Sequence, residues 1–374
     1  MNILINTPRV VVGILFIFSG LVKAIDPLGL SYKMQEFFEL WHITQFNQHT
    51  LWLSVVMIAF EIIAGAALLL GWQMKLFSWL LLLLILFFTF LTGYAYLSGK
   101  FKNCGCFGDC IPITPLASFL KDVVLTVLIL FLFANRNKIQ PLFSKRVNAI
   151  LISLVTISSF GLQWYALTYQ PPVDCLPFKK GNNIAEKMQV PAGALPDSFA
   201  IRFIYEKGGK QYEFAPAELP ADLNSYNYVS RTDKLVRKGN AEPPIKGFAL
   251  SGISDQDSTS IVLSQPYAVL LFCEDFSTPF AAWKDDFVKL YAAAKAKNIP
   301  VFIVTNRADE ARDNFSATPF ADLQIFKCDY TAIRTAARTN PALYLLKQGT
   351  VLDKQSHKRM DNILNELEAI PVQQ

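Results

Sequence analysis

Residues 102–110 read KNCGCFGDC, and they stand between two long apolar runs, 76–98 and 114–134. Three of the chain's six cysteines, Cys104, Cys106 and Cys110, fall in this one short stretch. A bilayer core takes about 20 apolar residues per helix, so each flanking run is long enough to cross it. The cysteines therefore sit in a loop at one surface of a membrane. Working outward, three further runs qualify as spans: roughly 8–25, 51–71 and 148–169. The first is longer than the apolar part of a signal peptide and is followed by KAIDPLGL rather than a cleavage site, so it reads as an anchor that stays.

Composition divides the chain in two. It is 52% hydrophobic and only 17% charged overall, against about 25% charged for an ordinary soluble protein. Residues 1–170 are the five-helix membrane part, whereas 171–374 carry scattered charge like a soluble protein. The net charge of +5 is modest, and no basic stripe with interleaved aromatics suggests nucleic acid. His42, His49 and His357 are far apart in sequence, in no metal-ligand spacing.

Basic residues set the expected direction of the spans. NRNKIQPLFSKRV, residues 135–147, holds Arg136, Lys138, Lys145 and Arg146 and no acid, which marks a cytoplasmic loop. Arg9 and Lys75 then share its side, and the N-terminus is cytoplasmic. The loops 26–50 and 99–113 and everything after 170 fall on the opposite, periplasmic face of an inner membrane. All six cysteines lie there, in a compartment that permits disulfides.

In the cluster the thiols are spaced C-x-C-x3-C, with glycines at 105 and 108 that permit a tight path. Thiol exchange needs a thiolate that can reach a disulfide sulfur. Lys100 and Lys102 favour the thiolate, and Asp109 opposes it. Three readings stand side by side: a disulfide pinning the loop, a pair that trades electrons, or a metal site. Three cysteines without a nearby fourth ligand make a poor closed site for zinc or iron–sulfur, and no metal is assigned.

CGCFG at the outer end of a membrane helix resembles the MauE/DoxX group of membrane proteins. PRVVVGILFIFSGLVKAIDPLG (8–29) is similar to that group's first helix and FEIIAGAALLLG (60–71) to its second, so the resemblance covers about residues 5–135. It implies a four-helix redox bundle, here with a fifth span added. The group is associated with methylamine utilisation, with disulfide formation in a periplasmic dehydrogenase, and with quinone-linked sulfur oxidation. More distantly, the bundle resembles vitamin K epoxide reductase-like enzymes. The resemblance thus implies Cys104, Cys106 and Cys110 as exchanging thiols, with a membrane quinone as acceptor.

Three charges fall within the spans. Glu61 is mid-span, Asp122 lies about two turns inside the fourth, and Lys23 ends the first. Such groups need a partner or a cavity. One reading is a polar pocket beneath the cysteine loop, suited to a quinone headgroup or a proton path. The other is a structural pair, Lys23–Asp122 or Lys23–Glu61. Lys121 can snorkel outward.

Beyond the spans, YQPPVDCLPFKKGNN (169–183) reads as a linker carrying Cys175, a candidate fourth thiol for the cluster. FAIRFIYEKGGKQYEF (199–214) reads as two strands joined at KGGK, so 171–246 is taken as linker plus a small β-rich segment. From 247 the order is a hairpin, a buried strand, a helix, a buried strand and a closing strand pair, which gives a mixed sheet with helices on its faces. This resembles the thioredoxin fold, in its TlpA/redoxin branch, over about 247–370 of the domain 247–374. The resemblance puts Pro341 of TNPAL at the cis-proline. It also puts Ser277 and Phe280 of FSTPF where the two cysteines of C-x-x-C would stand, so this site cannot exchange disulfides. Cys273 and Cys328 either bond to each other or serve as small core residues.

Two functions follow. The first is a membrane thiol–disulfide oxidoreductase passing electrons to a quinone. The second is a non-catalytic accessory protein with structural cysteines, whose degenerate thioredoxin domain holds a periplasmic client. The lipid bilayer is the surrounding partner in both.

Overall fold

The computed structural model describes residues 3–101, 105, 107–237, 239–252 and 255–373. Five helices are long and apolar enough to cross a membrane: α1 (Ile3–Ile25), α3 (Thr50–Leu70), α4 (Met74–Ser98), α5 (Pro115–Ala134) and α6 (Lys145–Tyr169). Leu83, Phe90, Val127 and Ile157 point outward from them and stay exposed, as side chains facing lipid do. α5 and α6 begin where the sequence supplies caps. The Thr114 hydroxyl accepts from Ala117 N with Pro115 at the first turn, and the Ser144 hydroxyl accepts from Val147 N. α1 and α3 cross closely because glycine lines both sides. A β-carbon at Gly65 would lie 2.8 Å from the Gly13 carbonyl oxygen and 3.0 Å from Ile17 N. Small residues at a crossing let helix backbones approach in lipid. Arg9, buried in α1, donates from Nε to Leu68 O at 2.8 Å and also to Leu69 O, which satisfies carbonyls at the end of α3.

The segment 26–50 is more than a loop. It holds α2 (Pro27–Leu40), capped by Asp26, whose carboxylate accepts from Gly29 N. Its apolar side chains spread around the helix instead of forming a run, so no membrane-length signal marks it.

The soluble part contains two sheets. α7 (Ile184–Lys187) is followed by a three-stranded antiparallel sheet of β1 (Ser198–Lys207), β2 (Lys210–Phe214) and β3 (Asn227–Arg237), in order β2-β1-β3. Its tight turn is the expected KGGK, with Gly208 and Gly209 at positive φ and Lys207 opposite Lys210. The second sheet follows α8 (Thr259–Leu263). It comprises β4 (Ala268–Cys273), β5 (Val301–Thr305), β6 (Gln324–Lys327), β7 (Ala342–Lys347) and β8 (Thr350–Ser356), in order β6-β5-β4-β7-β8. β4, β5 and β6 run parallel, and β7 and β8 antiparallel. Helices α9 (Lys284–Ala296), α10 (Ala308–Ser316), α11 (Tyr330–Ala336) and α12 (Met360–Ala369) complete it.

Strand alternation sorts the core. Leu270 and Phe272 face α8 and α11, while Val269, Leu271 and Cys273 face α9 and α12. A parallel strand–helix–strand unit followed by an antiparallel hairpin is a thioredoxin-like arrangement. The Asn340–Pro341 bond just before β7 is cis.

Two expectations change. The hairpin from 247 is reduced, among the described residues, to single bridges from Ser251 to Asp257 and Lys327, because Gly, Ser and Asp dominate there and favour turns. The segment 171–246 also divides. Phe178 and Ile184 join the core of the larger sheet, and Gly181 N and Ile184 N donate to Val351 and Gly349 carbonyls at 2.8 Å each. The thioredoxin-like unit therefore takes in residues well ahead of 247, with the small sheet inserted into it.

Candidate functional site

A cavity of about 230 Å³ opens among α1, α3, α4 and α5 beneath α2. Two clusters of buried charge face it. On the α1–α3 side, Lys23 Nζ lies 2.5 Å from Glu61 Oε1, and the pair is only 3% and 1% exposed. Ser19 donates to the other Glu61 oxygen at 3.1 Å. On the α4–α5 side, the Thr92 hydroxyl donates to Asp122 Oδ2 at 3.0 Å, and the Lys121 ammonium pairs with Asp122 Oδ1. Of the two pairings open to Lys23, the one with Glu61 forms. Lys121 does not snorkel away, since the buried Asp122 carboxylate beside it needs a cation. Apart from Lys33 of α2, the rest of the wall is mostly apolar, with Phe37 of α2, Trp41 just after it and Phe88 of α4; Gly105 and Phe107 of the cysteine loop also line it.

Cys104 and Cys106 lie outside the described residues. Cys110 is joined to Cys175 by a disulfide, so the cysteine loop is tied to the chain just after α6. Cys273 and Cys328 are free, buried and on opposite faces of the larger sheet, and do not bond to each other. Burial pushes the Cys328 thiol up to about 12 and raises Cys273 too, which leaves both unreactive as nucleophiles at neutral pH.

The thioredoxin-like site is held by its own side chains. Ser277 Oγ and Asn340 Nδ2 both donate to Asp275 Oδ1 at 2.5 Å, the Thr278 hydroxyl donates to Asn340 O at 2.9 Å, and Glu274 N donates to Asn340 Oδ1 at 3.0 Å. Phe280 packs into an aromatic group with Trp283, Phe315 and Phe320. Pro341 follows its cis bond next to this network.

That same edge docks on the membrane part, through residues the sequence reading passed over. Arg334 donates to Glu274 Oε1 at 2.8 Å and to Gln35 Oε1 of α2 at 2.7 Å. Tyr32 of α2 donates to Glu274 Oε2 at 3.2 Å, with the Arg334 guanidinium 4.1 Å from its ring centre. Arg338, only 4% exposed, holds Asp26 at 2.8 Å and Asp109 of the cysteine loop at 2.9 Å. Burial alone would lower the Arg338 pKa, but the two carboxylates outweigh it and raise it. Burial raises the Tyr32 phenol, which stays protonated. Lys354, also 4% exposed, lies 2.5 Å from Asp174, beside Cys175. The signal available in sequence was the pair of arginines four apart in RTAAR, 334–338, with an acid before each of Cys110 and Cys175.

The fold and site define a multi-pass membrane protein in which a helical bundle carries a thioredoxin-like domain. Residues 1–135 match the family model described as Methylamine utilisation protein MauE, and this part of the chain is a MauE domain. Residues 199–238, the small sheet, match one described as Domain of unknown function (DUF8463). The chain is 29% identical over 159 residues to Protein TlpB of Flavobacterium psychrophilum, covering 42% of this chain and 43% of that protein. It thus spans less than half the length of the curated relative it matches. Among solved structures, Peroxiredoxin Q of Xanthomonas campestris is similar at 19% identity and a TM-score of 0.26, covering 33% of this chain and 92% of that one. BsSco, described as a member of the Sco family of cytochrome c oxidase assembly proteins, is similar at 13% identity and a TM-score of 0.27, covering 33% and 91%. The strand order and strand directions carry the thioredoxin-like assignment.

Proposed function

We propose that this protein is a thiol–disulfide oxidoreductase of the inner membrane, acting on the periplasmic side and delivering electrons to a membrane quinone. The observation that carries this reading is the charged cavity, bounded by Gly105 and Phe107, the neighbours of Cys106 in sequence. Oxidation of two loop thiols to a disulfide releases two electrons and two protons. A quinone takes up the same number to become a quinol. The aromatic wall suits a flat ring, and Lys23 and Lys121 supply donors for its carbonyl oxygens. On this reading Glu61 and Asp122, both on the cavity wall, would pass the protons. The acid-free basic loop at 135–147 supports the orientation.

Trapping free thiols in intact membranes, before and after quinone depletion, tests this. Cys104, Cys106 and Cys110 should shift toward the reduced state when quinone is removed. An unchanged thiol pattern sinks the reading. One observation favours the accessory-protein alternative: Ser277 and Phe280 leave the thioredoxin-like site without thiols, and its polar groups are tied to one another. On that reading the domain presents a periplasmic client and all exchange is absent.

A further inference from the structure

We infer that the Cys110–Cys175 disulfide is an exchangeable bond that oxidises a protein dithiol, with attack falling on the sulfur of Cys175. This rests on the thiol-exchange reading above and names the chemistry of its client. The bond lies at the surface, in a narrow crevice between the end of α1 and the stretch that follows α6. Cys175 is exposed and Cys110 half-buried, so an incoming thiolate has its open approach at Cys175. Pro172 and Val173 beside it are also exposed, a short apolar ledge on which an extended client segment can lie.

The charges around the bond support the same assignment. Each cysteine is preceded by an aspartate, Asp109 and Asp174. Left bare, either carboxylate would repel an approaching thiolate and raise the pKa of the departing one. Neither is bare. Arg338 covers Asp109 and Lys354 covers Asp174, and both cations come from the thioredoxin-like domain, buried to the same 4% exposure. A structural staple makes no demand on the charge beside its sulfurs, whereas an exchanging one does. Arg338 and Lys354 are thus positioning residues, acting on the sulfurs through the two aspartates.

The step balances without a further reactant. One client thiolate attacks Cys175 Sγ; the client–Cys175 bond forms, the Cys110–Cys175 bond breaks, and Cys110 leaves as a thiolate. The second client thiolate then attacks the client sulfur of the mixed disulfide and releases Cys175. The client is oxidised to a disulfide, Cys110 and Cys175 are reduced to thiols, and the two client protons end on them.

The test uses the full chain in lipid nanodiscs, with reduced glutathione as a monothiol probe, acid quenching, alkylation and peptide mass spectrometry. The expected product carries glutathione on Cys175 and a free thiol on Cys110. Arg338→Met should slow adduct formation by about tenfold, because it uncovers Asp26 and Asp109 beside a partly exposed sulfur. Asp26→Asn and Asp109→Asn combined with Arg338→Met should restore the rate, because both charges that Arg338 covered are gone while the clamp is still missing. Three results overturn the inference: a bond that opens only in denaturant, an adduct chiefly on Cys110, or a triple variant as slow as Arg338→Met. Repeating the assay with Cys104→Ser/Cys106→Ser separates the two proposals. Persistent exchange there, together with thiols indifferent to quinone depletion, keeps the client site and removes the quinone acceptor. Thiols that follow quinone while glutathione never opens the bond do the reverse.

Discussion

Lys23 and Glu61 place a full ion pair inside the bundle, with both side chains almost wholly buried. Removing one partner of a buried pair leaves the other uncompensated and costs about 3–5 kcal/mol, whereas replacing both with apolar residues of similar volume is often neutral. Lys23→Met should therefore lower the thermal stability of the protein in nanodiscs strongly, and Lys23→Met/Glu61→Leu should recover most of the loss. A double variant as unstable as the single one would show that the pair is not what the bundle depends on. If the double variant folds yet its loop thiols no longer respond to quinone, the pair belongs to the cavity's chemistry as well. The charges themselves were legible in the sequence, because an ionisable residue inside an apolar run stands out. Which partner each would take was not legible, since Glu61 and Asp122 lie at comparable depth and only the packing of α1 on α3 brings Glu61 to Lys23.

At the scale of elements, the five spans and the thioredoxin-like strand order follow from runs and alternation that the sequence displays openly. The element that escaped was α2. Its sequence PLGLSYKMQEFFEL mixes polar and apolar residues, and its meaning lies in having two partners at once. Lys33, Met34 and Phe37 border the cavity, while Tyr32 and Gln35 are held by Glu274 and Arg334. A pattern shared between a membrane cavity and a soluble domain shows the period of neither. The α1–α3 crossing, by contrast, can be tested at a single position. A valine at Gly65 would press on the Gly13 carbonyl and on Ile17 N, which are backbone atoms and cannot rotate away. Overpacking of this kind costs about 1–3 kcal/mol. Gly65→Val should lower the melting temperature in nanodiscs and loosen the cavity wall, while Gly161→Val, with open space around it, should not. Equal stability of the two variants would refute the close-crossing account.

At the scale of the whole molecule, direction and docking decide what the cysteines can meet. The basic loop at 135–147 predicts that residues 99–113 and 171–374 share the non-cytoplasmic face. A membrane-impermeant protease should cut the soluble part in intact cells only after the outer barrier is opened, and cleavage confined to inverted vesicles would reverse the topology. Beyond the paired arginines of RTAAR, little in the sequence signalled the docking. Asp26, Asp109, Arg334 and Arg338 are ordinary surface-type residues until the chain folds, and the Cys110–Cys175 link joins positions 65 residues apart. Arg334 is the most direct handle on it. Its guanidinium bonds Glu274 in its own domain and Gln35 in α2, and stacks on Tyr32, so it holds the soluble domain on the roof of the cavity. Truncating one member of a hydrogen-bonded charge pair at an interface costs about 2 kcal/mol at the lower end, roughly thirtyfold in an equilibrium constant. Arg334→Ala should raise hydrogen exchange in α2 by about that factor. Exchange in the core strands β4 and β5 should stay as it was, because the variant loosens the contact and leaves the domain folded. Protection of α2 that does not change would mean that the helix is held by the bundle alone. A rise spread evenly over α2, β4 and β5 would mean that Arg334 supports the domain's own fold and has no special hold on the membrane part.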